Sequence, residues 1–172
     1  MKNDFIMPVL VLALICMFMS GALAVVNNIT DPVIAEAAAA RAERALREII
    51  PQAEDFVLLD VDGLPGTVTE VYGTSNHKGF IFVIMSPGYG GDITIMCGID
   101  PDGQIIKSLT LAHMETKGIS DPVFAMQSEY EGKNKNLDGI DAISGATITS
   151  NAYKNGILDA FLAFEIVMEV RQ

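Results

Sequence analysis

Cysteine is scarce in this chain: there are two among 172 residues, Cys16 and Cys97. Cys16 falls inside an apolar N-terminal run, so no disulfide framework and no CxxC metal pair can be built. Iron–sulfur and structural zinc sites are therefore not expected within the chain, and no metal ligand set is assigned. Positive charge is equally short. Eleven Lys and Arg stand against 22 Asp and Glu, a formal net charge of −11. Such a chain cannot replace the condensed counterions of a phosphate backbone, which excludes nucleic acid as a partner. It also argues against peripheral attraction to anionic lipid. There is no GxSxG nucleophile elbow, no dinucleotide fingerprint after a strand and no metal motif. No substrate-processing site is evident, and no residue is assigned as catalytic.

What the sequence does have begins at Phe5. From there to Val26 it reads "FIMPVLVLALICMFMSGALAVV", uncharged throughout and close to the roughly 20 residues that cross a hydrocarbon core as a helix. A cleaved signal peptide competes with this reading, because Ala22-Leu23-Ala24 fits a cleavage site. The apolar run exceeds the roughly 7–15 residues of a signal h-region, and Lys2, offset by Asp4, is a thin basic flank. Both points favour a membrane anchor. Ile15 is too bulky to precede a lipidated Cys16. Lys2 and the terminal amine lie before the span, and no Lys or Arg follows it until Arg41. The positive-inside rule then puts residues 1–4 in the cytoplasm, residues 5–26 across the cell membrane in a single pass, and the remainder outside. The sequon Asn28-Ile29-Thr30 sits against the bilayer and reads as chance.

Next, "TDPVIAEAAAARAERALREIIP" has Asp31 as an N-cap, Pro32 at the first helical position and Pro51 as a stop. This predicts a connecting helix within residues 27–55, with an apolar stripe of Ile34, Ala38, Ala45, Ile49 and Ile50. From Phe56 to about Thr110 short β-rich runs alternate with turn residues. Asp62-Gly63 and Asp102-Gly103 predict tight hairpins, hence an antiparallel meander. "DPVFAMQSEYEG" allows a short helix, "KNKNLDGID" is a polar loop, and Asn151 to Val170 repeats apolar or small residues at helical spacing. The predicted architecture is α+β: one N-terminal transmembrane helix, then a domain over residues 56–172 whose mainly antiparallel sheet is packed by helices.

The stretch "DGIDAISGATITS" just before the last helix needs a reason. A helix N-terminus carries unpaired amides and about half a positive charge, so it suits a phosphate. Thr149 or Ser150 could cap this helix in the ordinary way, yet capping uses one hydroxyl and does not account for Gly145 and Ala146.

Asp141 to Thr147, "DAISGAT", followed by Ile148-Thr149-Ser150, resembles the flavinylation motif of the FMN-binding domain family. Two further blocks agree with it. "PGYGGDI" from Pro87 is similar to that family's glycine-rich stretch between strands, and "HMETKGIS" from His113 to its His-x-Glu-Thr-Pro-Gly-Leu-Gly segment. Lys117 stands where the family has proline, and Ser120 where it has glycine. The resemblance implies FMN esterified through its phosphate to the Thr147 hydroxyl by a dedicated flavin transferase. It implies that Ser144, Gly145 and Ala146 admit the phosphate, that Thr116, Ile119 and Glu115 lie beside the flavin, and that Asp141 serves transferase recognition. Tyr89 is either a stacking partner or strand-end packing, His113 a hydrogen-bonded structural residue, and Cys97 a small buried one.

A short chain with one anchor and one such domain most resembles the G-subunit branch, from Rnf-type membrane complexes that oxidise ferredoxin and move Na+ or H+. The sister C subunits of Na+-translocating NADH:quinone oxidoreductases share the motif but are longer. Either resemblance implies an electron carrier among membrane and iron–sulfur subunits. A stand-alone extracytoplasmic flavoprotein, or a flavin-free binding domain on a membrane stalk, remains open on the sequence.

Overall fold

The computed structural model of the chain describes residues 3–170; Lys2, on which the expected orientation rests, lies outside them. The chain divides into two units, Met1–Arg41 and Ala42–Gln172. Helix α1, Asn3–Ile49, supplies the first unit and opens the second. In the first unit the apolar side chains from Ile6 to Ile34 are exposed, and the helix is long and apolar enough to cross a membrane. No new helix starts at Asp31. Asp31 and Pro32 lie inside α1, where the alanines that follow favour helix and carry it through the proline. The Thr30 hydroxyl donates to the Val26 carbonyl at 2.8 Å, so the Asn28 sequon is helical and not a loop acceptor.

The second unit is built on a five-stranded sheet in sequence order, every neighbouring pair antiparallel. Its strands are β1 (Phe56–Leu59), β2 (Val68–Thr74), β3 (Phe80–Pro87), β4 (Asp92–Ile99) and β5 (Ile105–Ala112). The chain then forms α2 (Asp121–Ala125), a 3-10 segment (Met126–Tyr130) and the long α3 (Thr147–Val170). Of the two expected tight turns, Asp102-Gly103 does sit in the short β4–β5 link. There the Asp100 carboxylate accepts from the Asp102 and Gln104 amides at 3.0 and 2.8 Å. Asp62-Gly63 instead lies within the longer link from Asp60 to Thr67 that precedes β2.

Period-two alternation gives the sheet two apolar faces. Phe80, Phe82, Ile84, Ile93, Ile95, Cys97 and Ile99 pack with Ala152, Tyr153, Ile157, Ala160 and Phe161 of α3. On the opposite face Ile81, Val83 and Met96 pack with Ala45, Leu46, Ile49 and Ile50 at the end of α1. Gly156 brings α3 close to the sheet: a Cβ there would meet Ile95 at 3.2 Å and both Ile84 and Ser86 at 3.3 Å. At the same contact the Ser86 hydroxyl donates to the Ala152 carbonyl at 2.6 Å.

The loop "KNKNLDGID" is less polar in place than in composition. Leu137 and Ile140 are buried in the α3-side core, and Leu137 reaches it from a left-handed backbone, φ +49°. Exchange of amide bonds between Ile105 and the Gly132–Lys133 backbone, at 2.8 Å each, ties this loop to β5. The Lys154 ammonium donates to the Ile140 carbonyl at 2.9 Å. The residues leading into α3 are thereby fixed from both sides.

Candidate functional site

The β3–β4 hairpin turns through Gly88–Gly91, closed by the Gly88 amide on the Gly91 carbonyl at 2.9 Å. Its glycines answer to close packing. A Cβ on Gly88 would overlap the Glu115 carboxylate, and one on Gly90 would lie 2.5 Å from the Met114 carbonyl oxygen. The segment after β5 thus runs directly against the turn.

Glu115 is the meeting point. Its side chain is buried, with Oε1 accepting from the Gly90 amide at 3.0 Å and Oε2 from the Thr149 hydroxyl at 2.7 Å. Burial opposes its charge, but the Gly90 amide, the Thr149 hydroxyl, the Tyr89 amide and nearby His113 outweigh it and hold the carboxyl below its usual 4.5. One carboxylate therefore joins the glycine hairpin, the segment from His113 and the first turn of α3.

The loop from Thr116 to Ser120 keeps a defined path without proline at position 117. The buried Ser120 closes it, donating from its amide at 3.2 Å and its hydroxyl at 2.9 Å to the Thr116 carbonyl. Gly118, at φ +85°, gives its amide to the Asp121 carboxylate at 3.0 Å. Lys117 is exposed.

Helix α3 starts at Thr147, four residues before the expected Asn151, which puts Thr147 at the very N-terminus. Gly145 precedes it at φ +85°, and a Cβ there would meet nothing within 4 Å. Glycine suits this backbone turn, and no protein atom crowds the position. Ala146 is buried in the core, so its small size serves packing. Neither Thr149 nor Ser150 caps the helix: Thr149 bonds Glu115, while the Ser150 hydroxyl accepts from the Ile143 amide at 3.1 Å and donates to the Ala146 carbonyl at 2.9 Å. Among the described residues, no hydrogen bond occupies the exposed Thr147 hydroxyl, and none accepts from the amides of Thr147, Ile148 and Thr149.

These elements enclose a cleft of about 420 Å³. Glu115, Thr116, Ile119, Gly145, Ala146 and Thr147 line it, joined by Tyr89, Ser120, Ile148 and Thr149. Ser144 and Asp141 are exposed and do not line it. Ser120, Ile148 and Thr149 escape the sequence reading. Thr149 passes there for a cap, and the signal for Ser120 is its departure from the family pattern. His113 stacks on Phe124 with ring centroids 4.1 Å apart; its buried Nδ1 has no partner among the described residues, contrary to the hydrogen-bonded role expected of it. Cys97 is fully buried in β4.

The model of the FMN-binding domain family matches residues 88–161, and that of the RnfG N-terminal region matches residues 1–49. The chain is 30% identical to the G subunit of an ion-translocating oxidoreductase complex of Shewanella baltica, over 95% of this chain and 91% of that protein. This chain belongs to the RnfG family. It is 28% identical to the G subunit of a proton-translocating ferredoxin:NAD(+) oxidoreductase complex of Clostridium ljungdahlii, covering 83% of each chain. It is 27% identical to the G subunit of a Na(+)-translocating ferredoxin:NAD(+) oxidoreductase complex of Acetobacterium woodii, over 86% of each. The FMN-binding match begins at the glycine hairpin and ends within α3, so it contains every residue that lines the cleft. The N-terminal match coincides with α1. As a member of the RnfG family, the chain joins an apolar helical anchor to an FMN-binding domain.

Proposed function

We propose that this chain is the electron-carrying subunit of a membrane-bound, ion-translocating ferredoxin:NAD+ oxidoreductase, and that its FMN is attached by a phosphoester to Thr147. The observation that carries this reading is the exposed Thr147 hydroxyl at the N-terminus of α3, on the wall of the cleft and without a hydrogen-bond partner among the described residues.

The cleft suits the group. Its volume falls within the roughly 300–1,000 Å³ of cofactor pockets. The open amides of Thr147–Thr149 and the helix dipole favour a phosphate at that end, and Tyr89, Ile119 and Ile148 provide apolar surface for a ring system. Thr116, Ile119 and Gly145 would hold the flavin, with Ser144 and Asp141, exposed beside the attachment point, available to the flavin transferase. Bound FMN supplies reversible one- and two-electron transfer. The chain's part is to tether, orient and shelter it, and a covalent bond keeps it in place whatever the free FMN concentration. In this reading residues 5–26 cross the membrane, residues 1–4 are cytoplasmic, residues 27–55 connect, and the domain from residue 56 is extracytoplasmic. The partners are the complex's membrane and iron–sulfur subunits.

Intact mass of the full chain co-expressed with a flavin transferase tests the reading. A gain of one FMN less one water, absent in Thr147→Ala, is expected: the Thr147 oxygen gains the phosphorus, its proton leaves, and the activated flavin donor loses its leaving group. No gain, with the transferase active on another target, overturns it.

A further inference from the structure

Two walls of the cleft come from segments far apart in sequence, the glycine hairpin and the first turn of α3. They touch through one buried relay: the Thr149 hydroxyl on Glu115 Oε2 at 2.7 Å, and the Gly90 amide on Glu115 Oε1 at 3.0 Å. Thr149 and Glu115 are 3% and 7% exposed, so little water reaches either. Thr147 and Thr149 share a helical turn but, two positions apart, face different sides. One hydroxyl is exposed and the other is locked inside.

We propose that Thr149 is a positioning residue for flavin attachment: its bond to Glu115 fixes the rotation of the first turn of α3 against the glycine hairpin, and so sets where the Thr147 hydroxyl is presented. This rests on the attachment proposed above. Among the described residues no side chain caps the amides of this turn, and Gly145 just before it sits at φ +85°, so the turn's rotation against the glycine hairpin is left to tertiary contacts. The Ser150 hydroxyl secures the incoming loop but does not reach the hairpin. Among the described residues, the Glu115–Thr149 bond is the polar link from the first turn of α3 toward Gly88–Gly91, while the Ser86–Ala152 bond holds the next turn at the base of the hairpin. Both Glu115 oxygens are committed to the protein, which makes the carboxylate a strut between the walls and not a ligand of an anionic phosphate.

The test uses the full chain in detergent as wild type, Thr149→Val and Thr149→Ser. Hydrogen exchange is followed in peptides covering residues 88–93 and, as reference, the β2–β3 strands; attachment is followed by mass during transferase reaction. Thr149→Val keeps the shape but leaves a buried carboxylate oxygen unpaired. Exchange at 88–93 should rise on the order of tenfold, as expected for losing a hydrogen bond to a charged group. The β2–β3 reference should stay unchanged, flavin attachment should slow by a similar factor, and Thr149→Ser should restore both. Wild-type exchange and attachment in Thr149→Val overturn the proposal, as does equal acceleration across the whole sheet, which would mark general loosening. If the wild type takes up no flavin, the attachment reading fails and so does the positioning role built on it, while the hairpin exchange still reports whether the strut exists.

Discussion

Gly98 and Ile49 occupy the same small volume between β4 and the end of α1: a Cβ on Gly98 would overlap the Ile49 side chain. Ile49 is 1% exposed, so the last turn of α1 is seated in the sheet by a knob fitting a missing side chain. Gly98→Ala should cost about 1–3 kcal/mol by overpacking, and Ile49→Ala about 2–5 kcal/mol by the cavity it leaves. The two are in contact and should not add. Denaturant titration of the full chain in detergent should show the alanine at 98 costing clearly less in the Ile49→Ala background. Full additivity would mean that α1 does not dock here.

Gly145 separates a backbone requirement from a spatial one. Its φ is +85°, while a side chain would find open space. Gly145→Ala should therefore destabilise the domain by roughly 1–2 kcal/mol through strain alone, and Gly145→Asn by less, since asparagine tolerates this region. Thermal unfolding of the three proteins gives the order. If alanine and asparagine are equivalent to glycine in stability yet block flavin uptake, clearance for the phosphate is the reason for the glycine after all.

These two glycines show where the sequence is legible. Each β-run is readable because Phe80, Phe82 and Ile84 alternate with Ile81 and Val83, a local pattern that needs no knowledge of partners. The order of strands follows from the short links between them. The continuity of α1 is not readable: Asp31-Pro32 carries a strong local start signal, and the helix overrides it. Nor is the true start of α3, because the hydroxyls that look like caps are drawn off by Glu115 and by the Ile143 loop, contacts made by residues up to 34 positions away. The three motif blocks can be matched one by one, but that a single buried carboxylate joins them is a tertiary fact. Leu137 escapes for the same reason, since its burial depends on the fold closing over a loop of polar composition.

Cys97 has 0% exposure, and burial raises its thiol pKa to about 12. The thiolate is the reactive form, so at pH 8 the folded chain should resist thiol reagents at this position. In a Cys16→Ser background, labelling should be negligible until denaturant unfolds the domain and then proceed at the rate of a free cysteine. Rapid labelling of the native protein would mean that β4 opens locally, in conflict with its central place between β3 and β5.

The acid limb of stability should depend on Glu115. Its folded-state pKa is lowered from the usual 4.5, burial being outweighed by the Gly90 amide, the Thr149 hydroxyl, the Tyr89 amide and His113. A depressed carboxyl contributes stability that is fully present above the unfolded value and is lost as pH falls through the folded one. Glu115→Gln can still accept from Gly90 but carries no charge, so it should be less stable than wild type at pH 7. Below about pH 4.5 the wild type binds protons on unfolding that the variant cannot, and the gap between the two should narrow as the pH is lowered. Denaturant midpoints of both proteins from pH 7 to pH 3 measure this directly. A gap that stays constant across that range would show that the charge of Glu115 adds nothing to the strut, and that its shape and hydrogen bonding suffice.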